Sequence, residues 1–255
     1  MKKDKETMKM KRGFFALLFA ALLFGAGALA DTAPVNMNPP PEAIPTQAEG
    51  ELETYDLTFP EEMPLTARNF VLTERAEFEK LPKANEYTQW FYRDKREIGW
   101  CSVFQIYCAY HSGAQLYKLK QGAQAQDGEV ISAMEGRVGN VYLAFEEQGR
   151  WLDATEGGVP RPGYLVIYGV RASTPYTHVA IVESVKELGD GLYELTTIEG
   201  NLNSTIKRIN YRYDATPKQK YHNMSVVPES QITRENCQYT LQKDNWYVTG
   251  FCATW

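Results

Sequence analysis

The spacing of apolar residues changes along this chain, and each change marks a different kind of element. Phe14 to Phe24 is an unbroken apolar run. Residues 31–65 are poor in core-forming side chains and hold seven of the thirteen prolines, including Pro39-Pro40-Pro41, which reads as an extended spacer. From Thr66 onward Phe70, Val71 and Phe78, with the Arg75 stem, fall near one face of a helix that ends before Pro82. A second helix is expected from near Trp100 to Gly113, a third over 141–145, ending at Gly149. Then the period becomes two. Residues 164–170, 177–185, 192–199, 205–213 and 224–227 are rich in β-branched and aromatic side chains, separated by Gly, Asp, Asn and Pro. Helices first and strands afterwards predict an α+β domain, with N-terminal helices packed on an antiparallel β-sheet. Near the C-terminus, Tyr239 and Leu241, then Trp246, Tyr247, Val248 and Phe251, flank Lys243-Asp244-Asn245 and suggest a β-hairpin.

The N-terminus changes the picture of where the protein works. Lys2, Lys3, Lys5, Lys9, Lys11 and Arg12 precede the apolar run, and Ala28-Leu29-Ala30 follow it with small residues at alternate positions. The run is shorter than the roughly 20 residues that span a bilayer. An export signal over 1–30, cleaved before Asp31, is therefore expected, with no stable membrane insertion afterwards. The organisation expected is a signal peptide (1–30), a Pro-rich spacer (31–65), one catalytic domain (66–228) and a C-terminal hairpin extension (229–255). Residence is in the periplasm, the cell wall or outside the cell. The net charge is −5 even with the basic leader included. An acidic chain argues against a nucleic-acid partner, which needs clustered Lys and Arg. A monomer is expected.

Four cysteines in an exported chain raise the question of disulfides. A Cys237–Cys252 bridge closing the hairpin fits their spacing. Cys101 and Cys108, seven residues apart on one helix, are separated by about 10 Å along its axis, too far to bridge. One reactive thiol and one packed thiol is the simpler reading. Cys101 stands where the helix begins, and free N–H groups and the positive end of the helix dipole favour thiolate there. The alternative for any such Cys is a buried structural thiol, and Cys108 fits that better.

Three histidines are available as a base. His111 shares the helix with Cys101 but lies about 15 Å further along it. His222 sits in a polar stretch with Lys218, Lys220 and Asn223. His178 opens the apolar strand Val179-Ala180-Ile181-Val182, where a base is held rigidly at a strand end; the alternative is a hydrogen-bonded core imidazole. Glu199 and Asn201 end the next strand, and either an orienting partner for the imidazole or ordinary turn formation accounts for them. No pair of Cys or His has zinc-ligand spacing and no calcium loop is evident, so neither a metal nor a cofactor is expected.

Taken together, Asn85-Glu86-Tyr87-Thr88-Gln89-Trp90, Trp100-Cys101 with Cys108 and Gly113, Val159-Pro160-Arg161-Pro162-Gly163, His178-Val179-Ala180-Ile181-Val182-Glu183 and Ile198-Glu199-Gly200-Asn201 resemble the CHAP family. The resemblance runs from about Asn85 to Tyr213. It implies a papain-like cysteine, histidine-dependent amidohydrolase or peptidase that cuts amide bonds in bacterial peptidoglycan, in a stem peptide or a cross-bridge. By that match Cys101 is the nucleophile, His178 the base, Glu199 the orienting acid and Asn201 a fourth, supporting residue. Tyr87, Trp90 and Trp100 match positions near the cleft, with a substrate role. The chain departs from the family at Tyr164, where Asp is usual, and at Ala180, where Gly is usual; both affect local strand geometry. An exported peptidase with a protein substrate and a non-catalytic wall-binding protein are the competing readings.

Overall fold

The structure, a computed structural model, describes residues 55, 57–80, 85–94, 98–170, 174–217, 225–226 and 246–255. The expected export signal, most of the spacer, His222, Cys237 and the turn at 243–245 lie outside the described residues. Helices α1 (Leu65–Lys80), α2 (Asn85–Tyr92) and α3 (Cys101–Ser112) come first. The short strands β1 (Gln115–Tyr117) and β2 (Ile131–Ala133) pair in parallel, ahead of α4 (Val138–Glu147). A seven-stranded sheet follows, built from β3 (Trp151–Asp153), β4 (Leu165–Gly169), β5 (His178–Gly189), β6 (Leu192–Leu202), β7 (Thr205–Asp214), β8 (Ser225–Val226) and β9 (Tyr247–Cys252). Its order is β3-β9-β4-β5-β6-β7-β8, and every neighbouring pair is antiparallel. The architecture is α+β, as the change of period predicts.

Local chemistry explains the main boundaries. Helix α3 stops at Gly113, which takes φ +83° and returns its N–H to the carbonyls of Ala109 and Tyr110. Helix α4 begins a turn before the expected 141–145, because Val138 joins Val141, Ala144 and Phe145 on its buried stripe. Helix α2 was not expected; with eight residues it is too short for its period to stand out from the sequence.

Two segments outside the expected catalytic-domain bounds pack with the folded unit. The C-terminal strand β9 lies inside the sheet, hydrogen-bonded to β3 on one side and β4 on the other. Its side chains are buried throughout, which is the requirement for an apolar central strand. Cys252 is a fully buried free thiol there, and Cys237, its expected partner, lies outside the described residues. The end of the spacer also belongs to the folded unit. Met63 is 2% exposed, and Arg68 donates to the carbonyls of Pro60, Glu61 and Met63, fixing this segment to the start of α1.

Strand alternation then divides the core between the two faces of the sheet. Val179 and Ile181 on β5, with Ile198 and Gly200 on β6, face α3, where a Cβ on Gly200 would stand only 2.7 Å from Phe104. His178, Ala180 and Val182, with Thr197 and Glu199, face the opposite way, toward Val166, Tyr168, Ile209, Tyr211, Val248 and Phe251. Glu183, buried on the α3 side, ties α1 to the sheet by accepting from Arg75 (2.9 Å) and Arg208 (2.6 Å). The helical layer is thereby fixed relative to the strand that carries His178.

Candidate active site

Cys101 is the first residue of α3, and the residue before it, Trp100, makes no side-chain capping bond. The N–H groups of the first turn have no partner within the helix, so they and the helix dipole favour negative charge at this point. The Cys101 sulfur accepts the backbone N–H groups of Ser102 and Val179 and is hydrogen-bonded to the His178 imidazole. Burial by itself raises the thiol's pKa. The hydrogen bond and charge of His178, together with the two N–H groups, outweigh it and bring the pKa below the ordinary thiol value.

His178 reaches Cys101 because α3 packs across the ends of β5 and β6, although the imidazole itself is on the opposite face of the sheet. Its Nε2 lies 3.0 Å from Oε2 of Glu199, which leaves Nδ1 for the Cys101 thiol. Burial pulls the imidazole pKa down, but the hydrogen bonds and charges of Cys101 and Glu199 prevail and push it up to about 10. A raised imidazole beside a lowered thiol describes a thiolate–imidazolium pair that titrates as a unit.

Glu199 is completely buried and fully occupied. Its second oxygen accepts the hydroxyls of Thr197 (2.8 Å) and Tyr168 (3.2 Å), and the Tyr168 hydroxyl is 2.9 Å from that of Tyr211. The sequence signal for Thr197 was available, since residues i and i+2 share a strand face. Tyr168 lies directly opposite His178 on the neighbouring strand, and Tyr211 joins only through the pairing of β6 with β7; no local pattern points to either.

The register of β6 against β7 shifts between Glu199 and Leu202. This bulge places Asn201 at φ +60°, a left-handed conformation that Asn tolerates. Its Nδ2 lies 3.5 Å from where a Cβ on Gly99 would stand, so the amide is beside the chain that leads into Cys101. The carboxylate within hydrogen-bonding distance of the His178 imidazole is that of Glu199.

The residues expected to touch substrate are placed differently. Tyr87 is 1% exposed, donates to Glu77 Oε2 at 2.9 Å and stacks on Trp100, itself buried. These two rings wedge α2 against the start of α3 and are core residues. Trp90 is half-buried and packs on Tyr107, Tyr110 and His111, about 9–15 Å along α3 from Cys101. Cys108 is fully buried near Glu74 and Glu77, and burial raises its pKa well above the usual value, so it stays a thiol. Among the described residues no group of three or more His, Cys, Asp or Glu side chains is arranged to hold a metal ion, and no helix is long and apolar enough to cross a membrane.

No curated protein and no solved structure matches this chain. The family model of the CHAP domain does, over residues 91–201, a stretch that contains Cys101, His178, Glu199 and Asn201. CHAP domains are generally hydrolases that act on peptidoglycan or on other amide bonds. From residue 91 to residue 201, therefore, this chain is similar to the CHAP domain.

Proposed function

We propose that this protein is an exported cysteine hydrolase of papain-like architecture that cleaves an amide bond in bacterial peptidoglycan through an acyl-enzyme. The observation that carries the reading is the hydrogen-bonded series Cys101–His178–Glu199, with the thiol at an uncapped helix start. The Cys101 thiolate attacks the amide carbonyl, forming a C–S bond and an oxyanion. The Cys101 backbone N–H, at the open end of α3, donates to that oxygen. The His178 imidazolium protonates the leaving nitrogen, the C–N bond breaks, and the amine departs from a thioester. Neutral His178 then takes a proton from water, whose oxygen attacks the thioester and releases the carboxylic acid and the Cys101 thiolate. Glu199 holds the imidazole in the required tautomer and stabilises its charge. Asn201, beside Gly99, supports the entrance to α3.

The test is mass spectrometry of soluble fragments released from purified peptidoglycan by the full chain after export, beside its Cys101→Ser variant. Fragments produced only by the unsubstituted protein support the reading, and their masses name the bond. Absence of fragments across several wall types, with cleavage of proteins instead, replaces peptidoglycan by a protein substrate. Wall binding that survives Cys101→Ser, with no product from either form, overturns the enzyme.

A further inference from the structure

The surroundings of His178 extend beyond the stretch that matches the CHAP model. Trp246 precedes β9, forty-five positions after that match ends, yet its ring centroid is 5.4 Å from the imidazole and 6.0 Å from Tyr168. Tyr168 stacks on the same imidazole at 5.9 Å, so the three rings form a nearly equilateral cluster. Trp246 is 7% exposed. The same C-terminal segment also touches the approach to the histidine: the Thr249 hydroxyl donates to the carbonyl of Pro175, in the loop that leads into β5.

We infer that Trp246 is a positioning residue for the reaction, holding the His178 imidazole against Glu199 and supporting its cationic form. This rests on the thiolate–imidazolium reading of the site. Trp is the most effective aromatic partner for a cation within about 6 Å of its ring. The titratable groups that face the imidazole are Cys101 on α3, Glu199 on β6 and Tyr168 on β4, with Tyr211 on β7 behind Tyr168. None of the four changes when Trp246 is replaced.

The experiment is the pH dependence of Cys101 alkylation by iodoacetamide, which needs no substrate, in the wild-type protein and in Trp246→Leu and Trp246→Phe. Leu keeps water out but has no ring; Phe restores a weaker one. The alkaline inflection, where His178 loses its proton, is expected about one pH unit lower in Trp246→Leu and in between for Trp246→Phe. An unchanged inflection in either folded variant, with only a lower melting temperature, makes Trp246 a packing residue and overturns the inference. Should wild-type Cys101 alkylate no faster at neutral pH than an ordinary thiol, the ion-pair reading of the site fails instead.

Discussion

Glu199 Oε2 stands 3.0 Å from His178 Nε2, and both side chains are buried, so the imidazole's orientation is set by one carboxylate. Because Thr197 and Tyr168 occupy its other oxygen, that carboxylate has no freedom to turn away. Glu199→Gln keeps the shape and an acceptor for the imidazole N–H but removes the charge that supports the cation. Turnover is expected to fall roughly 10²- to 10⁴-fold, while circular dichroism and the melting temperature stay close to wild type. Parallel kinetics and thermal melts on the variant decide it: a loss of activity that merely follows a loss of fold would remove the orienting role.

The paired pKa shifts fix the sign of the pH dependence. In the proposed mechanism turnover needs the Cys101 thiolate and the His178 imidazolium together. Below the Cys101 pKa the sulfur takes a proton and the rate falls; since that pKa is lowered, the acid limb lies below where an ordinary thiol would put it. Above about pH 10 His178 loses its proton, no acid remains for the leaving amine, and the rate falls again. Both limbs belong to the coupled pair. Iodoacetamide at neutral pH should modify Cys101 ahead of Cys108 and Cys252, whose pKa values burial pushes up. Peptide mapping after a short exposure reads this directly, and equal labelling of the three would contradict the thiolate.

Cys101, His178 and Glu199 were legible in the sequence because each stands at the end of an element that its neighbours delimit. Gly113 stops α3 and so locates its start, the Pro175-Tyr176 loop precedes β5, and Gly200-Asn201 ends the regular part of β6. Alternation also supplied strands β4 to β9, though not the three-residue strands β1 to β3. It did not supply which strands are neighbours. Tyr247–Cys252 reads as a strand from its composition, but its insertion between β3 and β4 depends on contacts 78 to 101 residues apart in the chain. Trp246 and Tyr211 come to the site through such pairings, and for that reason local pattern passed over both. Tyr87 misled in the opposite sense: an aromatic residue in a family motif suggests a cleft, whereas its hydroxyl is used to satisfy Glu77 in the interior.

That placement gives Tyr87 a different phenotype from a substrate contact. Tyr87→Phe removes the hydrogen bond to the buried Glu77 but keeps the ring against Trp100. Stability is expected to fall by about 1–3 kcal/mol, the usual penalty for leaving a buried polar group without a partner. KM should be unchanged, because the side chain has almost no surface to offer a ligand. Urea denaturation and steady-state kinetics on one preparation separate the two roles: a raised KM at unaltered stability would return Tyr87 to the cleft.

Gly200 lies between the orienting acid and Asn201, and the site geometry requires it to have no side chain. A Cβ there would stand 2.7 Å from three carbon atoms of Phe104, which is fully buried on α3 and not free to move aside. Gly200→Ala must therefore push β6 away from the helix that carries the nucleophile. Overpacking of this kind costs about 1–3 kcal/mol, and the displacement falls between Cys101 on α3 and Glu199 on β6. Activity should decline by more than the fraction unfolded explains, and Cys101 alkylation at neutral pH should slow as the thiol loses its alignment with His178. The double variant Gly200→Ala with Phe104→Leu relieves the contact by shortening the opposing side chain. It is expected to recover alkylation rate relative to Gly200→Ala alone, although Phe104→Leu by itself leaves a gap in the core. Independent, additive losses in the two single variants and the double would show that the glycine is not what sets the distance between helix and strand.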